Sequence, residues 1–292
     1  MSTPKVNLSP KVTVCLVTYN QEDYISECLE SVVTQVTNFD FEVIVSDDLS
    51  TDKTREIVKE FSAKYSNIKT LFRDKNVGAY ENFIDTHDRA TGEYICHLDG
   101  DDYWLPGKLQ KQADFLDANH ECNLVWTRFL YKKGDDIAPS LIDDNDAFWE
   151  RKFFRGDIIS YMALGTNSSI MYRGSSRLIE RPSFDVIDYF KNVEAVKDGY
   201  ASFVSNEPLC IYRVGIGIAS SGTYTVSLIL NSMNHIWHKY PCNRSDLFCS
   251  ALLVSYSCLK KNRGALFLRF FFLALKCFSP LAVKKLIEAR RV

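Results

Sequence analysis

With 292 residues, 46% of them hydrophobic and 25% charged, the chain is long enough for one sizeable α/β domain plus an appendage, and its composition is ordinary for a soluble protein. A net charge of -2 gives no whole-chain reason to expect nucleic acid as a partner. The opening "MSTPKVNLSPK" lacks the apolar core of an export signal, and the most apolar late stretch, "GALFLRFFFLALKCFSPLAV", is broken by Arg269 and Lys276, so no membrane span is expected.

Residues 1–10, with two prolines, read as a loose arm. "VTVCLV" (12–17) is a β-branched apolar run that stops at the polar Thr18, Tyr19 and Asn20, as a buried parallel strand would. Ile25, Cys28, Leu29, Val32 and Val33 follow at the spacing of one helix face. "FEVIVS" (41–46) is a second strand ending in Asp47 and Asp48, and "STDKT" then supplies N-terminal helix chemistry. The next helix turns Ile57, Val58, Phe61 and Tyr65 inward. "IKTLFRD" reads as a third strand, "NVGAYENFIDTHDRATG" as a loop and helix, and "EYICHLD" as a fourth strand. "LPGKLQKQADFLDANHE" is helical and "CNLVWTRFLYK" is strand again. Alternating strands and helices with short connections argue for a parallel sheet wound on both faces. Its ligands are expected at the carboxyl ends of the strands.

The polar clusters fall at those ends. In "HLDGDDYW" (97–104), Asp99 and Asp101 point the same way in extended chain, and Gly100 permits a tight bend. Two carboxylates on one side suit Mg²⁺ or Mn²⁺, with the remaining positions left to water and substrate phosphates. Asp102 is either a third ligand or an acid that caps the following segment. Asp47 or Asp48 either accepts hydrogen bonds from a nucleobase or ribose or caps the next helix, and Tyr19 is placed to stack on a base. Neither G-x-x-x-x-G-K-[ST] nor G-x-G-x-x-G occurs, which argues against a mononucleotide kinase or a dinucleotide dehydrogenase. The nine cysteines are odd in number, form no C-x-x-C and sit largely in apolar runs, so buried reduced thiols in a cytoplasmic protein are expected. His235, His238 and Cys242 lack an evident fourth zinc ligand.

Four linked stretches, "VTYNQEDYISECLESVVTQ", "FEVIVSDDLSTDKT", "NVGAYENF" and "GEYICHLDGDDYWLPGKLQKQADFL", together resemble the family-2 glycosyltransferases, over about residues 11–217. That resemblance implies an inverting enzyme of GT-A type fold, with a mostly parallel central sheet and helices on both faces. It implies that Asp48 binds the base, that Asp99 and Asp101 bind ribose and metal with Asp102 as a competing ligand, and that Asn76 contacts nucleotide alongside Thr18, Tyr19 and Asn20. It places Thr166, Ser168 and Ser169 of "TNSSIMYR" on the acceptor side, and Asp188, eleven residues before Gly199, as the general base with Asp185 as the fallback. The donor implied is a nucleotide-sugar, a UDP-sugar first among them, and the acceptor a glycan, lipid-linked in bacterial surface-polysaccharide synthesis. Two departures stand out: Gly215 occupies a position where relatives carry His, and Glu81 one where they carry Arg. They motivate the alternative of a non-catalytic nucleotide-binding subunit, and make Lys75, Arg89 or Arg173 the expected source of a replacement cation.

Residues 218–292 form a helical tail. From Leu247 onward it carries nine Lys and Arg against Glu288 alone. "LFLRFFFLALKCF" sets Leu266, Phe270, Leu273 and Cys277 on one face, widened by Phe267, Phe271 and Phe272. The tail is expected to lie on a membrane surface, peripheral on the cytoplasmic face, the competing reading being a helix packed on the catalytic domain or on a second subunit.

Overall fold

The computed structural model describes residues 9–140, 146–178, 180–216 and 223–289. Most of the expected N-terminal arm and the expected boundary at 217–218 lie outside those residues. Strand and helix alternate through β1 (Val12–Thr18), α1 (Ile25–Val33), β2 (Phe41–Asp47), α2 (Thr54–Lys64), β3 (Ile68–Phe72), α3 (Ala79–Asp88) and β4 (Tyr94–Asp99). A two-residue strand β5 (Tyr103–Trp104), α4 (Lys108–Ala118), β6 (Cys122–Lys133), β7 (Asp136–Pro139), α5 (Asp146–Trp149) and α6 (Arg155–Tyr161) follow. Next come β8 (Ile170–Arg173), α7 (Asp188–Ala195) and the long β9 (Tyr200–Arg213). Four helices complete the fold: α8 (Thr223–Lys239), α9 (Arg244–Lys260), α10 (Gly264–Cys277) and α11 (Pro280–Ala289).

The strands form one sheet in the order β3-β2-β1-β4-β8-β6-β9-β5, with β7 hairpinned onto β6. β1 to β4 are mutually parallel, as the βαβ rhythm requires. Beyond β4 the sheet is mixed: β8 runs antiparallel to both β4 and β6, whereas β9 runs parallel to β6. The α/β expectation holds, with the parallel character concentrated in the N-terminal half.

Each face of the sheet has its own core. α1, α2 and α4 cover one, burying Ile25, Cys28, Leu29, Val32, Val58, Leu109 and Leu116. α3 and α6–α10 cover the other, around Trp126, Phe153, Phe190, Phe203, Met233 and Phe270. Coverage on both sides explains why β1 and β2 are buried along nearly their whole length instead of alternating. The C-terminal helices belong to this second core. Phe270, Leu273, Ala274 and Cys277 on one face of α10 are buried in it. All nine cysteines are free, and only Cys242 is exposed.

Candidate active site

The parallel half of the sheet brings the carboxyl ends of β1, β2 and β4 to one edge. Thr18 pairs in register with Asp47, and Val17 with Asp99. Asp48 follows directly, its amide donating to the Thr18 carbonyl at 3.0 Å. Three of the polar clusters noted in the sequence therefore share one edge of the sheet.

The loop after β1 is tied down by the start of α2. Asn20 adopts φ 50°, its amide N–H donates to Ser50 Oγ (2.9 Å), and its side-chain carbonyl accepts from the Thr51 amide (2.8 Å). Thr18 is buried and donates to Gln21 Oε1 (2.7 Å), while Tyr19 stays exposed and free to meet a planar ring. Asp47 is fully buried and paired with Arg55 (2.7 Å), which makes it structural. The Asp48 carboxylate accepts from the amides of Val77 (2.7 Å) and Gly78 (2.9 Å), and Asn76 donates to the Asp48 carbonyl (3.0 Å). Asp48, 3% exposed, and Asn76 thus form one unit that locks the "NVG" loop against the end of β2.

The acidic turn after β4 divides its three carboxylates by exposure. Asp99 keeps 36% of its side chain open, while Asp101 and Asp102 are only 6% and 1% exposed. Asp102 accepts from Ser168 Oγ (2.6 Å) and from the Arg213 amide (2.9 Å). These two donors tie Asp102 into the turn, a structural role beside the metal-ligand role expected of it. Gly100 is required here by close approach: a Cβ would stand 2.3 Å from Gln21 Oε1 and 2.8 Å from Thr18 Oγ1.

Electrostatics follow from this packing. Burial, then the charge of Asp99, push Asp101 up to about 6, and burial with both neighbouring carboxylates pushes Asp102 well up too. Burial works the same way on Asp99, but the His97 imidazole, together with Lys191 and Ser168, outweighs it and holds that carboxyl below its ordinary value. Among the described residues no group of three or more His, Cys, Asp or Glu side chains forms a ready metal cage. The donor set is the Asp99–Asp101 pair, whose mutual repulsion a divalent cation would relieve. Two carboxylates fit Mg²⁺ or Mn²⁺ when substrate phosphates complete the shell.

Ser168 and Ser169 are fully buried. Ser169 donates to the Thr166 carbonyl (2.8 Å), and Ser168 spends its hydroxyl on Asp102 while accepting from the Asp99 amide (3.1 Å). Neither hydroxyl is presented to a sugar. Thr166 is half-buried as a residue, but its hydroxyl oxygen is buried too. Asp188 opens α7, is 51% exposed and pairs with Lys191 (3.0 Å). Lys191 also donates to Asn167 (3.3 Å), the residue before Ser168, and its charge is among those that lower the Asp99 carboxyl. Asp185 is engaged by the hydroxyl of Tyr224.

Two cations escaped the sequence reading. Arg213 is 6% exposed, lies between the rings of Tyr24 and Tyr103 (5.0 and 4.9 Å), and donates to the Asp101 carbonyl and to Glu27. Lys191 is the other. Arg89 and Arg173, expected as replacement cations, sit at the wrong end of β4. Arg173 pairs in register with Tyr94 and spends its guanidinium on the carbonyls of Cys122, Leu116 and Asn119. Arg89 pairs with Asp85 (3.3 Å). Lys75 is exposed beside Asn76, and Glu81 is exposed on the first turn of α3.

The model of "Glycosyl transferase family 2" matches residues 13–185. An uncharacterized protein of Mycobacterium tuberculosis is 33% identical over 69% of this chain, and the match spans 58% of that relative's length. The putative teichuronic acid biosynthesis glycosyltransferase TuaG of Bacillus subtilis is 27% identical over 71% of this chain and 81% of its own. Among solved structures, S. aureus TarS 1-349 in complex with UDP-GlcNAc is similar with a TM-score of 0.62 and 21% identity, over 81% of this chain and 70% of that one. The mannosyltransferase PcManGT of Pyrobaculum calidifontis, in complex with GDP-Man and Mn2+, gives 0.61 and 16%, over 98% and 81%.

Proposed function

Since the chain belongs to glycosyl transferase family 2, we propose that it moves a sugar, with inversion, from a nucleotide-diphosphate donor to a hydroxyl of an acceptor glycan destined for the bacterial cell surface. The observation that supports this reading is that Lys191 pairs with Asp188 (3.0 Å) while its charge also helps to hold the Asp99 carboxyl low, so the expected base and the expected metal ligand share one cation. UDP-sugars are the favoured donors, since a similar fold is known with UDP-GlcNAc, and a lipid-linked glycan is the favoured acceptor.

In this account Asp48, Asn76 and Tyr19 receive the nucleoside at the ends of β1 and β2. Asp99 and Asp101 would hold Mn²⁺ or Mg²⁺, which would supply positive charge to offset that of the departing diphosphate. Asp188 removes the proton from the acceptor hydroxyl as that oxygen attacks, and Lys191 fixes its direction. A base on one wall and the leaving group on the other imply a single displacement, so the product has the opposite anomeric configuration.

Incubation of the purified protein with individual UDP-sugars, Mn²⁺ and a glycan-lipid acceptor, with the product anomer read by NMR, tests the proposal. Metal-dependent transfer with inversion is expected. Retention of configuration, or transfer undiminished by chelator, would overturn it.

A further inference from the structure

α10 is apolar on two opposite faces. Phe270, Leu273, Ala274 and Cys277 are buried against the sheet-covering core. Leu268, Phe272 and Leu275, at i, i+4 and i+7, form a second stripe that no described residue covers, 50%, 57% and 52% exposed. A helix at the surface of a globular protein normally turns a polar face outward, and this one does not.

Its neighbours share the feature. α9 packs against α10 and α11, and on it Leu253, Tyr256 and Leu259 are exposed. Phe278 and Leu281 are exposed at the start of α11. Nine of the sixteen large apolar side chains exposed among the described residues fall between 253 and 283. Scattered apolar residues on a surface are unremarkable, but a concentration on three consecutive helices marks an interaction surface.

The charge among these residues has one sign. Lys260, Lys261, Arg263, Arg269 and Lys276 lie in the same segment, and no Asp or Glu occurs between Leu247 and Lys284. A two-fold pairing of this chain with itself through the face would bring each cationic row against its own copy. An anionic surface meets no such repulsion. No helix among the described residues is long and apolar enough to cross a membrane, so the face can lie on a bilayer but not span it.

We infer that the uncovered stripe of α10, with the exposed apolar side chains of α9 and around the start of α11 and the basic side chains between Lys260 and Lys276, is a docking surface for an anionic lipid bilayer. The inference stands apart from the sugar-transfer reading, because binding is read with no substrate present.

Flotation of the full chain with phosphatidylcholine vesicles, with and without about one third phosphatidylglycerol, is the test. Wild type is expected to float with the anionic vesicles and to release them in high salt. Lys260→Gln/Lys261→Gln/Arg269→Gln should lower partitioning by about fivefold per charge removed. Leu268→Asp/Phe272→Asp should abolish it, with the melting temperature and UDP binding unchanged because both sites are exposed. A folded wild type that stays off anionic vesicles would overturn the inference, as would binding that both variants retain or that neutral vesicles support equally. So would a stable dimer that Leu268→Asp/Phe272→Asp dissociates while vesicle binding is absent, since the face would then be a protein interface.

Discussion

His97 Nε2 lies 3.0 Å from Asp99 Oδ1, and behind it a buried chain continues. His97 Nδ1 is 3.0 Å from His87 Nε2, and His87 Nδ1 is 2.6 Å from the Tyr172 hydroxyl. The relay runs from the cleft into the core between α3 and the sheet and fixes the carboxylate that is most open to a ligand. Groups that orient a metal-binding carboxylate typically contribute ten- to a hundredfold in affinity. His97→Leu is therefore expected to weaken Mn²⁺-dependent UDP binding by about tenfold or more in calorimetry, and His97→Gln to restore part of it. Equal affinity in all three proteins would show that Asp99 needs no such support.

The same relay gives stability a pH dependence. Burial, followed by the charges of His97 and Lys191, holds the His87 imidazole well below its ordinary value. A histidine depressed in the folded chain takes up its proton only on unfolding. Its contribution is complete above the unfolded value near 6.5 and is lost as pH falls below it. Stability is therefore expected to fall on this account as pH drops from 7.5 to 5. The raised carboxyls of Asp101 and Asp102 work in the opposite direction, so the histidine is read by difference. Urea unfolding of His87→Gln should lack that increment of acid sensitivity relative to wild type.

Asp101, pushed up to about 6 by burial and by Asp99, must lose its proton to hold a cation. Mn²⁺ affinity is expected to be flat above pH 7 and to fall by about tenfold per unit below 6. Asp101→Ala should remove the gain in UDP binding that Mn²⁺ gives, while binding of UDP alone persists. A metal effect that survives the substitution would move the site elsewhere.

Gly100 is constrained by contact, not by backbone angle. Gly100→Ala pushes a methyl against Gln21 Oε1 and Thr18 Oγ1 and should destabilise the protein by about 1–3 kcal/mol. Gln21 is the flexible partner, so Gly100→Ala/Gln21→Ala should recover a measurable part of the loss in a double-mutant cycle. Strict additivity would mean the two side chains do not meet.

Ser168 joins the acidic turn to the segment before β8 through Asp102 and the Asp99 amide. Ser168→Ala leaves a buried carboxylate short of a donor and should destabilise by about 1–3 kcal/mol. Thermal melting checks this, and no loss of stability would show that Asp102 is held by Arg213 alone.

The parallel half of the fold was legible because β1, β2 and β4 are short apolar runs that end abruptly in polar residues, and both helices and ligands follow from that pattern. The face of α1 was read from spacing alone, and Ile25, Cys28, Leu29 and Val32 are buried. The mixed half was less legible, since an apolar stretch such as "CNLVWTRFLYK" has the same composition whether its neighbours run parallel or not. Within the site, the identity of the acids was visible but their division of labour was not. Asp102 and Ser168 satisfy each other across 66 positions of chain, and no local pattern announces such a pair. The cations were misjudged for a related reason. Arg173 and Arg213 look alike in sequence, yet strand register sends one to the far end of β4 and the other under the acidic turn. The character of α10 was half visible: spacing grouped Leu266, Phe270, Leu273 and Cys277 on one face but assigned that face first to a membrane surface, whereas Phe270, Leu273 and Cys277 are buried in the second core, and the exposed stripe depended on knowing what covers it.

The assignment of chemistry rests most directly on Asp188, exposed at the mouth of the cleft and steadied by Lys191. Asp188→Asn should bind UDP and Mn²⁺ with wild-type affinity and show a kcat for sugar transfer lowered by about 10²–10⁴-fold. Turnover at the wild-type rate with the variant folded would contradict the account.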